Sequence, residues 1–193
     1  MAPSLIKACL RTLQAFLSWI PLHFIFNTDL IDNLIQHFIL PIHSRNEAIK
    51  CFTEIASLTF GELEVAEAQH CKLKLCGYYC NFIKKISELT KGRSLVDEYT
   101  SVKKSQQQAG FENFARQLAL AISAVIKNNV DLIEQTTNVM EPNPDVDFLR
   151  ASLDQGLVFM IQLTQVQEEE LFKICLEFWH WFAHDVMMKT RGH

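Results

Sequence analysis

The chain has 193 residues, is 49% hydrophobic, 21% charged and 10% aromatic, and carries a formal net charge of −4. That composition excludes a disordered chain, which is poor in apolar residues and rich in net charge. Only 6 glycines and 5 prolines do not fit a turn-dense β-sandwich or barrel, and Gly61, Gly77, Gly92, Gly110, Gly156 and Gly192 lie too far apart to build a phosphate-cradling loop.

What remains is an all-α protein with 14 phenylalanines to bury. Apolar periodicity predicts a first helix over about 3–20, stopped by Pro21, and a second over about 28–40, stopped by Pro41. A third begins at Ser44, which has capping-box spacing with Glu47, and runs to about 58. A fourth covers about 62–90, with a bend expected near Gly77. Residues 91–107 are polar and aperiodic and read as a long polar loop. A fifth helix follows over about 108–128, then a short one over about 130–138. Asn143 reads as an N-cap, Pro144 as a first helical position, and Asp145 and Asp147 suit the positive end of a helix dipole running to about 164. Thr164 and Gln167 repeat the capping-box spacing before a last helix over about 166–188.

Helices arriving in pairs, with a recurrence of about 40 residues, match the antiparallel hairpins of a HEAT-type α-solenoid. The length admits about three hairpins and one extra helix, so residues 1–193 read as a single segment of a repeat array. The last helix favours this over a four-helix bundle. Leu171, Ile174, Cys175, Phe178 and Phe182 form one apolar stripe, and Phe172, Leu176, Trp179 and Ala183 form another. Between them runs a polar seam of Glu170, Lys173, Glu177, His180 and His184. A bundle helix needs one apolar stripe, whereas a stacked repeat needs more. Glu47, Lys50, Glu54 and Ser57 make the same seam on the third helix.

Charge is unevenly spread. Residues 1–128 hold 14 Lys/Arg and 11 Asp/Glu, whereas 129–188 hold 2 and 11, a net of −9. Such a stretch repels nucleic acid and reads either as solvated helix faces or as the footprint of a basic partner. Lys84, Lys85, Lys91, Arg93, Lys103 and Lys104 are interrupted by Glu88, Asp97 and Glu98, and read as a solvated loop rather than a nucleic-acid patch.

The six cysteines fall mostly in apolar helical runs, which implies free thiols and a reducing compartment, cytosol or nucleus. The longest uncharged run, Thr12 to Thr28, has 17 residues and falls short of the ~20 needed to span a bilayer. The chain opens inside an amphipathic helix, as a piece of something longer would. His180 and His184, or His70 with Cys71, Cys76 and Cys80, offer metal-ligand types, but Trp181 stands where a zinc protease needs its Glu, and no CxxC knuckle is present. No G-x-S-x-G or other nucleophile signature occurs. The residues therefore indicate no cofactor, no metal and no catalysis; a helical metal-dependent enzyme is the rival reading from another class.

Three stretches resemble one family. LQAFLSWIPLHFIF at 13–26, KCFTEIASLT at 50–59 and VQEEELFKICLEFWHWFA at 166–183 are similar, in order and separation, to the central HEAT repeats of the exportin-1 family of nuclear export receptors, within the importin-β superfamily. Residues 62–111 depart from the family pattern, and no family position is carried over there. The resemblance implies a ring-like superhelix that binds Ran–GTP and cargo bearing a leucine-rich signal, passes nuclear pore proteins, and shuttles between nucleus and cytoplasm. The charge balance and the short uncharged run likewise argue against direct nucleic-acid and membrane contact. The resemblance also implies that the signal groove and its reactive cysteine lie in later repeats, so none of these six cysteines takes that role. Second helices of the family line the concave face near Ran. The expected Ran-facing residues are thus Glu170, Lys173, Glu177 and His180, with Glu47, Lys50, Glu54, Asn113 and Arg116 on earlier second helices. Another α-solenoid adaptor, importin-like or coat-like, is the alternative within the same architecture. Cut ends of such an array predict end-to-end self-association.

Overall fold

The structure, a computed structural model, describes residues 3–61, 63–137 and 143–191. Among these residues nine helices form and no strand. They are α1 (Pro3–Phe16), α2 (Leu22–Phe26), α3 (Leu30–Phe38), α4 (Arg45–Ala56), α5 (Val65–Thr90), α6 (Leu95–Val102), α7 (Gln108–Thr137), α8 (Pro144–Thr164) and α9 (Glu169–Arg191).

The packing resolves into two layers. Hairpins α3/α4, α5/α7 and α8/α9 lie side by side, with α1 standing as the second helix of a preceding unit. Second helices stack in the order α1, α4, α7, α9, and first helices in the order α3, α5, α8. This is the helical-repeat arrangement of a HEAT-type solenoid. Each inner helix must bury several flanks, which is why α4 hides Ala48, Ile49, Cys51, Phe52, Ile55 and Ala56. Phe52 of α4 stacks on Phe82 of α5 at 4.6 Å, and Phe178 of α9 anchors an aromatic group with Trp179, Trp181 and Phe182.

Several local expectations change. The first helix ends at Phe16, and a separate turn of helix, α2, follows Pro21. The segment 91–107 is not simply a loop, because α6 forms inside it. Ser94 caps α6 by accepting from the Val96 amide at 3.2 Å, and its buried Leu95 and Tyr99 face the rest of the fold. The Leu95 amide donates to Gln162 Oε1 at 3.0 Å, and the Tyr99 hydroxyl donates to the Gln167 carbonyl at 3.1 Å. These distant partners hold a helix that has too few apolar positions to announce itself. The helix predicted at 108–128 continues without a break into the short one, as α7. Asn129 supports the continuation, since its side-chain amide donates to the Val125 carbonyl one turn earlier at 2.9 Å.

Two of the expected capping boxes are also replaced. Ser44 is buried and its hydroxyl donates backward to the Phe38 carbonyl at 3.0 Å, closing α3 rather than opening α4. Glu168, not Thr164, caps α9: its carboxylate accepts from the Leu171 and Glu170 amides at 2.7 and 3.2 Å. Thr164 instead accepts from Trp179 Nε1 at 3.0 Å, tying the two arms of the last hairpin. The Asn143–Pro144 start of α8 is as predicted, with Asn143 accepting from the Asp145 amide at 3.0 Å. The Glu141–Pro142 part of that turn lies outside the described residues. Helix α5 runs continuously through Gly77.

Candidate functional site

The polar seam exists and runs across the layer of second helices. Its first rung joins α1 to α4. Arg11 donates through Nε and Nη2 to Glu47 Oε1 at 3.1 and 3.0 Å, and Gln14 donates to Glu54 Oε1 at 3.1 Å. Lys50 approaches the other Glu47 oxygen at 3.5 Å. Beneath this rung the Cys51 thiol donates to the Leu10 carbonyl at 3.2 Å. Glu47 is only 7% exposed, so burial raises its pKa, but the Arg11 hydrogen bond and the Lys50 charge outweigh that and hold it below the ordinary 4.5.

The next rung joins α4 to α7, where Asn128 donates to the Ala56 carbonyl at 2.9 Å. Asn113 and Arg116 sit half-buried near the start of α7. Arg116 reaches Glu168, the cap of α9, at 3.8 Å. Further along the same pair, Lys127 lies 5.8 Å from the centre of the Trp181 ring. Lys189 closes the far end with Asp185, Glu134 and Asp131 at 2.9, 2.8 and 3.7 Å. Burial lowers the Lys189 pKa, yet hydrogen bonds to Glu134 and Asp185 push it well above the usual lysine value. Much of the acidic stretch is therefore engaged internally.

On α9 the expected residues Glu170, Lys173, Glu177 and His180 are all exposed. Lys173 bonds Glu169 and Glu170 at 2.9 and 3.0 Å, and those acids raise its pKa. Among the described residues Glu177 and His180 have no hydrogen-bond or ion-pair partner. The nine expected residues thus divide by role. Glu47, Glu54 and Arg116 make contacts between repeats, Lys50 and Asn113 are half-buried, and the α9 run is exposed, as is Glu54 despite its bond to Gln14. Arg11, Gln14, Lys127, Glu168 and Lys189 belong to the seam but were not among the expected residues. Lys7, Arg11, Gln14 and Ser18 alternate steps of three and four residues as the other seams do, and that spacing was the signal available for α1.

Among the described residues no three His, Cys, Asp or Glu side chains converge as ligands would. His70 is exposed, whereas Cys71, Cys76 and Cys80 are buried in α5. Burial pushes the Cys76 and Cys51 thiols up to about 12, which leaves them protonated and inert. Among the described residues no helix is long and apolar enough to cross a membrane.

Comparison with known proteins places these layers in context. Residues 1–52 match the family described as exportin 1-like protein, and residues 151–186 match the chromosome region maintenance or exportin repeat. Neither match reaches 53–150. The chain is 33% identical over 176 residues to Protein EXPORTIN 1A of Arabidopsis thaliana, covering 91% of this chain and 14% of that protein. It is 29% identical over 180 residues to Exportin-1 of Schizosaccharomyces pombe, covering 92% and 14%. It is 28% identical over 186 residues to Exportin-1 of Drosophila melanogaster, covering 96% and 15%. The chain therefore spans about one seventh of the length of these relatives.

Proposed function

The chain belongs to the exportin-1 family, and we propose that it forms a central part of a nuclear export receptor whose full length binds Ran–GTP together with cargo bearing a leucine-rich export signal. On this reading it is an interaction scaffold without catalysis, and the full-length receptor shuttles between nucleus and cytoplasm past nuclear pore proteins. The observation that carries the reading is the exposed α9 run of Glu170, Lys173, Glu177 and His180, set on the layer of second helices. Three carboxylates at the start of α9 and Glu177 about two turns on give this strip an acidic cast suited to a basic partner face. Asn113, Lys50 and Glu54 extend the strip onto α7 and α4. Glu47 supports it from below by fixing α1 against α4.

A pull-down of the full-length receptor with Ran locked in its GTP form tests the assignment. Retention is expected, and retention should increase when a leucine-rich signal peptide is added, because the two ligands favour one closed state. Failure to retain the receptor under either condition contradicts the proposal and leaves another α-solenoid adaptor as the alternative.

A further inference from the structure

A groove of about 310 Å³ opens between α6 and the turn from α3 to α4. Its floor is Phe111 and Phe114 of α7, and its apolar walls are Val102 of α6 and Ile42, which is 81% exposed. Apolar walls alone would not say what fills the space. The charges do. Arg45 is half-buried at the groove, its guanidinium 5.3 Å from the centre of the Phe114 ring. Nε donates to the Ile39 carbonyl at 3.0 Å and Nη2 to the Leu40 carbonyl at 2.6 Å, so the fork is locked in place. Among the described residues Nη1 has no hydrogen-bond partner and no carboxylate lies within ion-pair range of Arg45. A half-buried arginine normally meets an anion, because burial without one costs free energy, and here the Glu98 charge acts on Arg45 only from beyond ion-pair range, which leaves room for a closer carboxylate. Lys7 adds a second cation at the rim, among the described residues also without an ion pair, while Glu98 on the opposite wall is the one acid lining the groove. Two cations to one carboxylate leave the groove short of negative charge.

We propose that this groove docks a peptide segment of a partner protein in which a side-chain carboxylate lies next to a bulky apolar residue. The carboxylate pairs with Arg45 Nη1 and then with Lys7, and the apolar side chain covers Phe111 and Val102. Glu98 accepts from the main-chain amides of the bound segment. A fixed guanidinium stacked on an aromatic ring loses little freedom on pairing, which favours such a contact over a lysine of equal charge. The inference stands apart from the assignment to Ran, since it rests on the α6 insertion and the α3–α4 turn rather than on α9.

Gly110 supplies the test. It lines the groove, and a Cβ added there meets nothing within 4 Å. Gly110→Leu thus fills the groove while improving a helical position. The probe is a pool of short peptides, blocked at both ends and randomised around one phenylalanine, sorted for retention on the immobilised chain. Retained peptides should be enriched in Asp or Glu within about three residues of the phenylalanine, one helical or extended step away. Retention should fall about tenfold or more with Gly110→Leu, and about threefold with Lys7→Glu, as suits a partly exposed ion pair. Enrichment in Lys or Arg, enrichment that survives Gly110→Leu, or no enrichment at all would overturn the proposal. So would retention confined to a pool with free C-termini, which would assign the anion to a chain end.

Discussion

Arg11 and Glu47 meet across the step from α1 to α4, two guanidinium nitrogens converging on one carboxylate oxygen at 3.1 and 3.0 Å. The pair is lopsided: the Glu47 side chain is 9% exposed and that of Arg11 66%. The acid is the committed partner, so its loss should matter more than the loss of the screened arginine. Glu47→Gln should destabilise the chain by about 1–3 kcal/mol near neutral pH. Glu47 titrates below 4.5 in the fold, so its contribution is full above that value and is lost as the pH falls through the folded-state value. Urea midpoints of wild type and variant should therefore differ at neutral pH and converge well below 4.5. An equal gap at both extremes would contradict this role.

Tyr79 is fully buried on α5, and its hydroxyl has no hydrogen-bond partner. It abuts Gly156 of α8, where a methyl group would collide with that hydroxyl. Gly156→Ala should cost about 1–3 kcal/mol through overpacking. Tyr79→Phe should be neutral or stabilising, because it removes an unsatisfied polar group. The double variant should recover most of the loss. A double-mutant cycle showing simple additivity would rule out this contact as the cause.

Thiol chemistry should sort by depth. Cys9 is exposed, and the other five cysteines are buried. Burial drives Cys51 and Cys76 up to about 12, far from the thiolate range at neutral pH. A maleimide or disulfide reagent should therefore label Cys9 quickly and the rest only on unfolding. Rapid labelling of Cys76 in native buffer would show that α5 opens locally from α8.

The two ends of the stack remain apolar. Phe172 and Leu176 on α9 are 49% and 55% exposed, and Phe16 and Trp19 at the other end are 57% and 82% exposed. Sedimentation of the chain should show mass rising with concentration, and Phe172→Glu with Leu176→Glu should shift it toward monomer. A wild-type mass independent of concentration would count against end-to-end association.

The repeat architecture was legible because its signals are local. Pro21 and Pro41 interrupt the helices, Asn143–Pro144 starts one, and paired stripes on α9 mark it as a stacked element. What stayed hidden depends on partners far along the chain. Helix α6 shows only Leu95 and Tyr99 as buried positions, and its anchors, Gln162 and Gln167, lie 67 and 68 residues away. Ser44 and Thr164 have the right spacing for caps, but each hydroxyl is claimed elsewhere, by the Phe38 carbonyl and by Trp179. The seam was legible as a spacing on α4 and α9. Which of its members face outward was not, because Arg11 lies 36 residues from the Glu47 it covers. The Arg45 groove could not be read at all, since three separate turns and helices build it.

If the exposed α9 strip meets Ran as proposed, its acids should contribute to that contact electrostatically. The most direct measurement is the affinity of the full-length receptor for Ran–GTP at low salt, with and without Glu170→Lys and Glu177→Lys. The account predicts a loss of about tenfold or more, shrinking as salt is added, with the fold unchanged by circular dichroism. An affinity unaltered at low salt would contradict it and remove Ran from this face.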